Sequence, residues 1–343
     1  MASMDVFKSD AFSMMSMLAA IENVDYNPQF LGSLNLFEDA PQRTRVVTIE
    51  SRDSELALIQ TSALGAPLDQ RGGDKAKLRN FNTTRIAKAS TIRADEIQGI
   101  RAFGSESELK QVQTEVARRQ AQLRGDMELT FEHHRLGAIQ GIVTDADGST
   151  IVNFFTEFGV AQPAEVEFDF GTLSANGGVR RKIADDIVRP IIRAAKGAMT
   201  PASQVYALCG DDFFDILTNC AEVRQTYLNH QAAAALREPT AFEQFRYAGV
   251  TWVNYRGTDD NSTVAIASDE AKFFPVGAPG IFKVAWAPGE SFDVVNTPGV
   301  PVLPMVLLDP SGRNAFVTVE LYSYPLFVCT RPLTLRRAAV TGS

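Results

Sequence analysis

From Ser105 the chain adopts a new hydrophobic period and keeps it for nearly forty residues. Leu109, Val112, Val116, Leu123, Met127, Phe131 and Ala138 recur mostly at spacings of three and four, with Arg118, Arg119, Gln122, Arg124, Glu128 and Glu132 on the remaining directions. Apolar residues so spaced share one stripe of an α-helix, so Ser105 to about Ile142 is predicted to be a single half-buried helix. Ser105 and Glu108 form a capping-box start, in which each side chain reaches the other's backbone N–H. At 1.5 Å per residue the helix would run about 57 Å, longer than a small domain is wide. Any fold that holds it must be built along it as a spine. Gly125 inside it costs about 1 kcal/mol relative to alanine and marks the place for a bend.

The segments on either side are of mixed type. Before the spine, Val46–Ile49, Leu56–Thr61 and Thr91–Arg93 read as strands, and the polar, basic stretch between the last two carries Gly72-Gly73 at its centre. So long an excursion is best accommodated as a projecting β-hairpin with paired outer strands and a mobile tip. Residues 1–45 hold an amphipathic piece from Phe7 to Ile21, then Phe30-Leu31 and Leu34 to Phe37, with little local structure to cover them. They suggest an arm that packs on something else. After the spine come a turn at Asp145 to Ser149 and a strand pair, Thr150–Phe155 with Val166–Phe170. A helix at Ile183–Ala195, kinked or split by Pro190, leads to the strand Gln204–Cys209 and a helix at Asp211–Cys220. Tyr247–Tyr255, Thr263–Ala267, Phe282–Trp286 and Ala315–Arg331 read as strands. The class is α+β.

Composition narrows the function. The net charge of −8 gives no counterion-release gain on DNA, which argues against a duplex-binding regulator. No run of 18 apolar residues is present to span a membrane, and the first residues lack the pattern of a signal peptide, so the chain is expected to be made and kept in a cytoplasm. Cys209, Cys220 and Cys329 are too few and too scattered for a disulfide framework or zinc ribbon, and are expected as small core residues or free thiols.

One motif points to chemistry. Asp145-Ala-Asp147-Gly148-Ser149 resembles the nucleophile motif of haloacid dehalogenase-type phosphatases, with Asp211 and Asp215 in the position of that family's Mg²⁺-holding acidic motif. That nucleophile needs a strand end, whereas a helical period precedes Asp145, and D-x-D-G is a common reversal. The bland reading, a turn after the spine helix at Asp145, Asp147 and Gly148, is preferred. A calcium loop fails on its sixth and twelfth residues, Thr150 and Thr156. His133 and His134 point in adjacent helical directions and are expected as solvated or interface residues; no metal site and no cofactor is expected. Arg71-Gly72-Gly73-Asp74-Lys75 lacks the ending of a phosphate loop. No hydrolase triad is visible.

Arm, hairpin, spine, strand pair and mixed α/β region, in that order, resemble the HK97-like fold of tailed-phage major capsid proteins, in the family of the phage lambda major capsid protein E. The resemblance rests on Pro28-x-Phe30-Leu31, Arg71-Gly72-Gly73 with Phe81 as a hairpin tip, and Gly141 with Asp147-Gly148, Asn153-Phe154 and Glu157-Phe158-Gly159. It continues with Glu167-Phe168-Asp169-Phe170-Gly171 as a strand, Asp211 and Phe213, Tyr247-Ala248-Gly249-Val250, and Phe316-Val317-Thr318-Val319-Glu320 as a closing strand. It implies an arm at 1–45, an extended hairpin at 46–104, and a peripheral domain with the spine at 105–182. An axial domain at 183–312 and a returning strand at 313–343 complete it. It further implies a non-enzymatic shell subunit of a virion, forming hexamers and pentamers with copies of itself around packaged dsDNA that it does not read by sequence. A separate scaffold, a portal and a decoration protein would be its other partners. Phe30, Leu31, Arg71, Gly72, Gly73 and Lys75 are the candidate inter-subunit contacts. A tail-tube component is the alternative structural reading.

Overall fold

The computed structural model describes residues 30–52, 76–93, 96, 108–175, 178–228, 244–255, 264–313 and 315–341. The expected features at Phe7–Ile21, Leu56–Thr61, Arg71–Lys75 and Ser105 lie outside the described residues.

The chain begins with a single helical turn, α1 (Phe30–Ser33), and the short strand β1 (Glu38–Pro41). Then come β2 (Val46–Arg52), β3 (Ala76–Asn82) and β4 (Ile86–Arg93), followed by the spine α2 (Glu108–Gln140). Next are β5 (Ile142–Thr144), β6 (Thr150–Asn153), α3 (Phe154–Phe158), β7 (Val166–Phe168) and α4 (Phe170–Ala175). A helix follows in three parts: α5 (Val179–Lys182), a π-helical stretch at Ile183–Val188, and α6 (Arg189–Ala194). After β8 (Gln204–Cys209) come α7 (Asp211–Asn219), α8 (Ala221–Leu228), β9 (Gln244–Tyr247), β10 (Val250–Asn254), β11 (Glu270–Val276) and β12 (Phe282–Trp286). The chain closes through β13 (Leu303–Leu308), β14 (Phe316–Ser323), β15 (Pro325–Cys329) and β16 (Arg336–Val340).

The spine is 33 residues, about 50 Å at the α-helical rise. It stops at Gly141, whose φ of +86° is left-handed and whose Cβ, if present, would lie 2.4 Å from the Phe155 ring. Both facts demand glycine there, so Ile142 opens β5 instead of closing the helix. Gly137 serves close approach as well, since a Cβ would meet Ile142 O and Val143 Cα at 2.9 Å. The helix runs unbroken through Gly125, where a Cβ would have nothing within 4 Å.

Val116, Leu123, Met127, Phe131 and Ala138 are all buried, as their spacing predicts. The helix is enclosed more fully than a half-buried one, because Gln120, Glu128, Glu132 and His134 are buried too. Packing elements explain this: α2 touches α1, β4, β5, β11, β14 and β15.

Two apolar cores result. One lies along the spine, where Phe131, Trp286 and Phe327 meet edge to face or tilted at centroid distances of 5.5 to 6.0 Å. It is covered by the sheets β1-β12-β15 and β13-β14-β4. The other lies on the far face of the six-stranded sheet β7-β16-β11-β8-β10-β9, where Phe168, Phe213, Trp252 and Phe273 pack under the helices. The three cysteines are free and buried, and burial pushes the Cys329 thiol up to about 12.

Several elements differ from the sequence reading. Phe154 and Phe155 are helical, because Asn153 Oδ1 accepts from the N–H groups of Phe155 and Thr156 and starts α3. The expected strand pair does not form: β6 pairs with β5, and β7 runs parallel to β16 in another sheet. Phe170 begins a helix in which Thr172 N–H and Oγ1 donate to the Asp169 carboxylate. Pro190 stands in the first turn of α6, directly after the π-helical stretch. It lacks the N–H that would reach Asp186, and the wider π turn just before it absorbs the loss. Tyr247–Tyr255 is a hairpin whose two turn residues, Ala248 and Gly249, both have positive φ. Residues 264–267 are not a strand, although Val264 and Ile266 are buried. Ala315–Arg331 divides at Tyr324 into β14 and β15, which enter different sheets. The expected boundary at 312 falls within the β13–β14 hairpin.

Candidate functional site

The arm meets the spine on one carboxylate. Leu31 N–H donates to Glu132 Oε1 at 2.7 Å and Gly32 N–H to Oε2 at 3.1 Å. Tyr255, just past β10, donates its hydroxyl to Oε1 at 3.2 Å, and Arg135 stands 3.4 Å from Oε2. Glu132 is only 1% exposed, and burial pushes its carboxyl above the ordinary range against the pull of these donors and Arg135. A single side chain thus joins arm, spine and the strand that leaves the six-stranded sheet. Phe30 meets the Tyr255 ring edge-on at 6.2 Å. Leu31 is buried in the core along the spine.

Beside Glu132, His134 is 3% exposed. Burial, with a smaller push from His133, lowers its pKa to about 4. It is a core residue, where a solvated or interface one was expected. His133 Nε2 lies 3.3 Å from Thr144 Oγ1.

The hairpin foot is β2 paired with β3 in antiparallel register, Val47 opposite Phe81. Phe81 is buried against Phe154 and Phe158, so it anchors the foot rather than forming the tip. Arg79 lies over the Phe158 ring at 4.9 Å and donates to the Glu157 carbonyl at 2.8 Å. Arg71, Gly72, Gly73 and Lys75 fall outside the described residues. Beside the foot is a groove of about 780 Å³ lined by Ile49, Arg79, Lys283, Val328, Arg331 and Leu333 among others.

A second surface feature was not legible in sequence. The loop between β12 and β13 is tied down at its base, where Gly299 N–H donates to Gln42 O and Glu290 pairs with Arg45 and Arg85. At its outer end Phe292 is 99% exposed and Val295 is half exposed.

Asp145, Asp147 and Gly148 form the exposed turn joining β5 to β6. Gly148 N–H donates to Asp145 O at 2.9 Å, Asp147 Oδ1 accepts from Ser149 N–H at 2.8 Å, and the Ser149 contacts hold the Asp147 carboxyl below its ordinary range. Asp211 and Asp215 belong to α7, after Gly210 at the end of β8 in a different sheet. An antiparallel hairpin turn is not the strand-to-helix junction a phosphatase nucleophile requires, and the phosphatase reading is not supported. Among the described residues no group of three or more His, Cys, Asp or Glu is placed to hold a metal ion, and no helix is long and apolar enough to cross a membrane.

Arm, hairpin foot, spine, and a sheet-built unit beyond it match a known protein family over almost their whole length: the model for phage major capsid protein E matches residues 13–340. The chain belongs to that family. It is 22% identical to the major capsid protein of Salmonella phage Felix O1 over 94% of this chain and 95% of that one. It is 26% identical to the major capsid protein of Pseudomonas phage KPP10, over 80% and 82%. A chain from the capsid structure of cyanophage P-SCSP1u superposes with a TM-score of 0.54 at 9% identity, covering 94% of this chain and 90% of that one. The fold is HK97-like, and the sequence resemblance to this family is confirmed.

Proposed function

We infer that the chain is the shell-forming subunit of a tailed-phage virion, assembling with copies of itself into hexamers and pentamers of an icosahedral shell around the dsDNA genome. The observation that carries this reading is the family match over residues 13–340, on a chain whose spine, arm and hairpin foot are joined as described. The five-part division into arm, hairpin, peripheral, axial and returning segments belongs to the same reading. The hairpin tip at Arg71, Gly72, Gly73 and Lys75, with the exposed part of Phe30, would reach neighbouring subunits. The groove beside the hairpin foot, with Leu333 on its rim, and the exposed Phe292 support this, because large exposed apolar groups mark surfaces that association covers. Repeated head-to-tail contacts close when their rotation closes, and obligate interfaces commonly bury about 2,000–5,000 Å². A separate scaffold and a portal would direct assembly, and a decoration protein would bind the finished lattice.

Negative-stain imaging of the chain expressed with its scaffold tests the reading. Closed shells are expected. Tubes would favour the tail-tube alternative, and a soluble monomer with Mg²⁺-dependent phosphatase activity would overturn it. Deletion of Arg71–Lys77 should abolish normal shells; shells that still form and mature would remove the hairpin from the mechanism.

A further inference from the structure

A cavity of about 160 Å³ opens between the last turn of α2 and the six-stranded sheet, lined by Ile139, Gln140, Lys272, Arg336 and Arg337 among others. Lys272 on β11 and Arg337 on β16 are direct cross-strand partners, so their side chains leave the sheet on one face. That face is the spine's side. Phe274, two residues from Lys272, packs in the spine core, whereas Phe273 packs in the opposite one.

Like charges directly opposite each other on paired strands destabilise the pair. Here they are also partly desolvated: the Lys272 side chain is 12% exposed, and Arg337 Nε is buried with no hydrogen-bond partner. Arg336, the partner of Phe273 on the other face of the sheet, turns its Nη1 to the carbonyls of Leu333 and Leu335 at 2.7 and 2.9 Å. Among the described residues the only carboxylate paired with Lys272 or Arg337 is Glu270, on Lys272. A cleft with one acid and two bases, taken partly out of water, is costly unless an anion completes it. The volume exceeds one water's share of about 30 Å³ several times over, enough for a tetrahedral oxyanion. A guanidinium fork beside an ammonium suits such an ion.

We propose that this cavity is an oxyanion site that binds phosphate through Lys272 and Arg337, where the end of the spine meets the six-stranded sheet. The phosphate is either a free ion or a backbone phosphate of nucleic acid. Neither the acidic turn nor the assembly surfaces contribute to it, so it stands apart from the shell-subunit reading.

The test is thermal unfolding and titration calorimetry of the purified full-length chain in inorganic phosphate against chloride of equal ionic strength. Phosphate is expected to raise Tm above the chloride control. Lys272→Met and Arg337→Met should each weaken apparent phosphate affinity by about tenfold or more, as loss of one charge-assisted contact requires. Equal Tm in the two salts, or a phosphate response unchanged in both variants, overturns the site. Should Arg337→Met fail to fold, Arg337→Lys keeps the charge and loses the fork; a weakened response supports the site and an unchanged one overturns it. A short DNA duplex that competes with phosphate identifies the nucleic-acid backbone as the source. A duplex that does not compete identifies the free ion, and either result supports the site.

Discussion

Glu132 and His134 sit two residues apart on the spine, and each is buried for a different reason. Glu132 accepts from two arm N–H groups and a tyrosine hydroxyl. Glu132→Ala leaves those donors unpaired and should cost about 3 kcal/mol, read as a lower urea midpoint, with faster proteolysis around Phe30. His134 is neutral in the fold. Its pKa drops from 6.5 to about 4, so the folded state binds its proton less readily than the unfolded chain. The stability it contributes is complete above pH 6.5, falls as pH descends toward 4 and then levels, a loss on the order of 3 kcal/mol. His134→Leu should remove that part of the acid dependence, read in urea titrations at pH 7 and 5. Neither role was legible in the sequence. A helical period assigns a charged residue to the wet side, and only the docking of α1 and β15 makes these positions interior.

The elements were more legible than their ends. The spine declared itself by spacing, and its stop lay in Gly141, whose need for glycine is visible only once Phe155 is seen packed against it. Gly141→Ala is expected to destabilise by about 3 kcal/mol, from a left-handed φ and a ring contact at 2.4 Å together. Gly125→Ala should act in the opposite direction. With space around it and helical geometry already present, alanine should stabilise by about 1 kcal/mol. Comparing the two midpoints in one denaturant series separates a glycine the fold needs from one it tolerates. Two of the misread strands share one cause: Asn153 and the Ala248-Gly249 pair change backbone direction within apolar runs that look continuous.

At the scale of the molecule, order carried the information: individually weak segments in the right sequence identified the HK97-like fold, while sheet membership stayed hidden. No local pattern tells β7 that its neighbour is β16, or sends β14 and β15 to separate sheets. Nor does composition separate Phe292, almost wholly exposed, from the buried phenylalanines. Phe292→Ser should leave the subunit's urea midpoint within about 0.5 kcal/mol of the original, as a surface change does. Shell yield in sedimentation should fall, and undiminished yield would show that the loop faces solvent in the lattice.

The place of β16 between β7 and β11 also bears on synthesis. A ribosome delivers β7 long before β16, on the order of ten seconds at common elongation rates. During that wait β7 has no strand to pair with and β11 presents an open edge. A chain terminated before Arg336 never leaves that condition. Completion of the six-stranded sheet therefore waits on β16, and both β7 and β11 gain a neighbour in a single step.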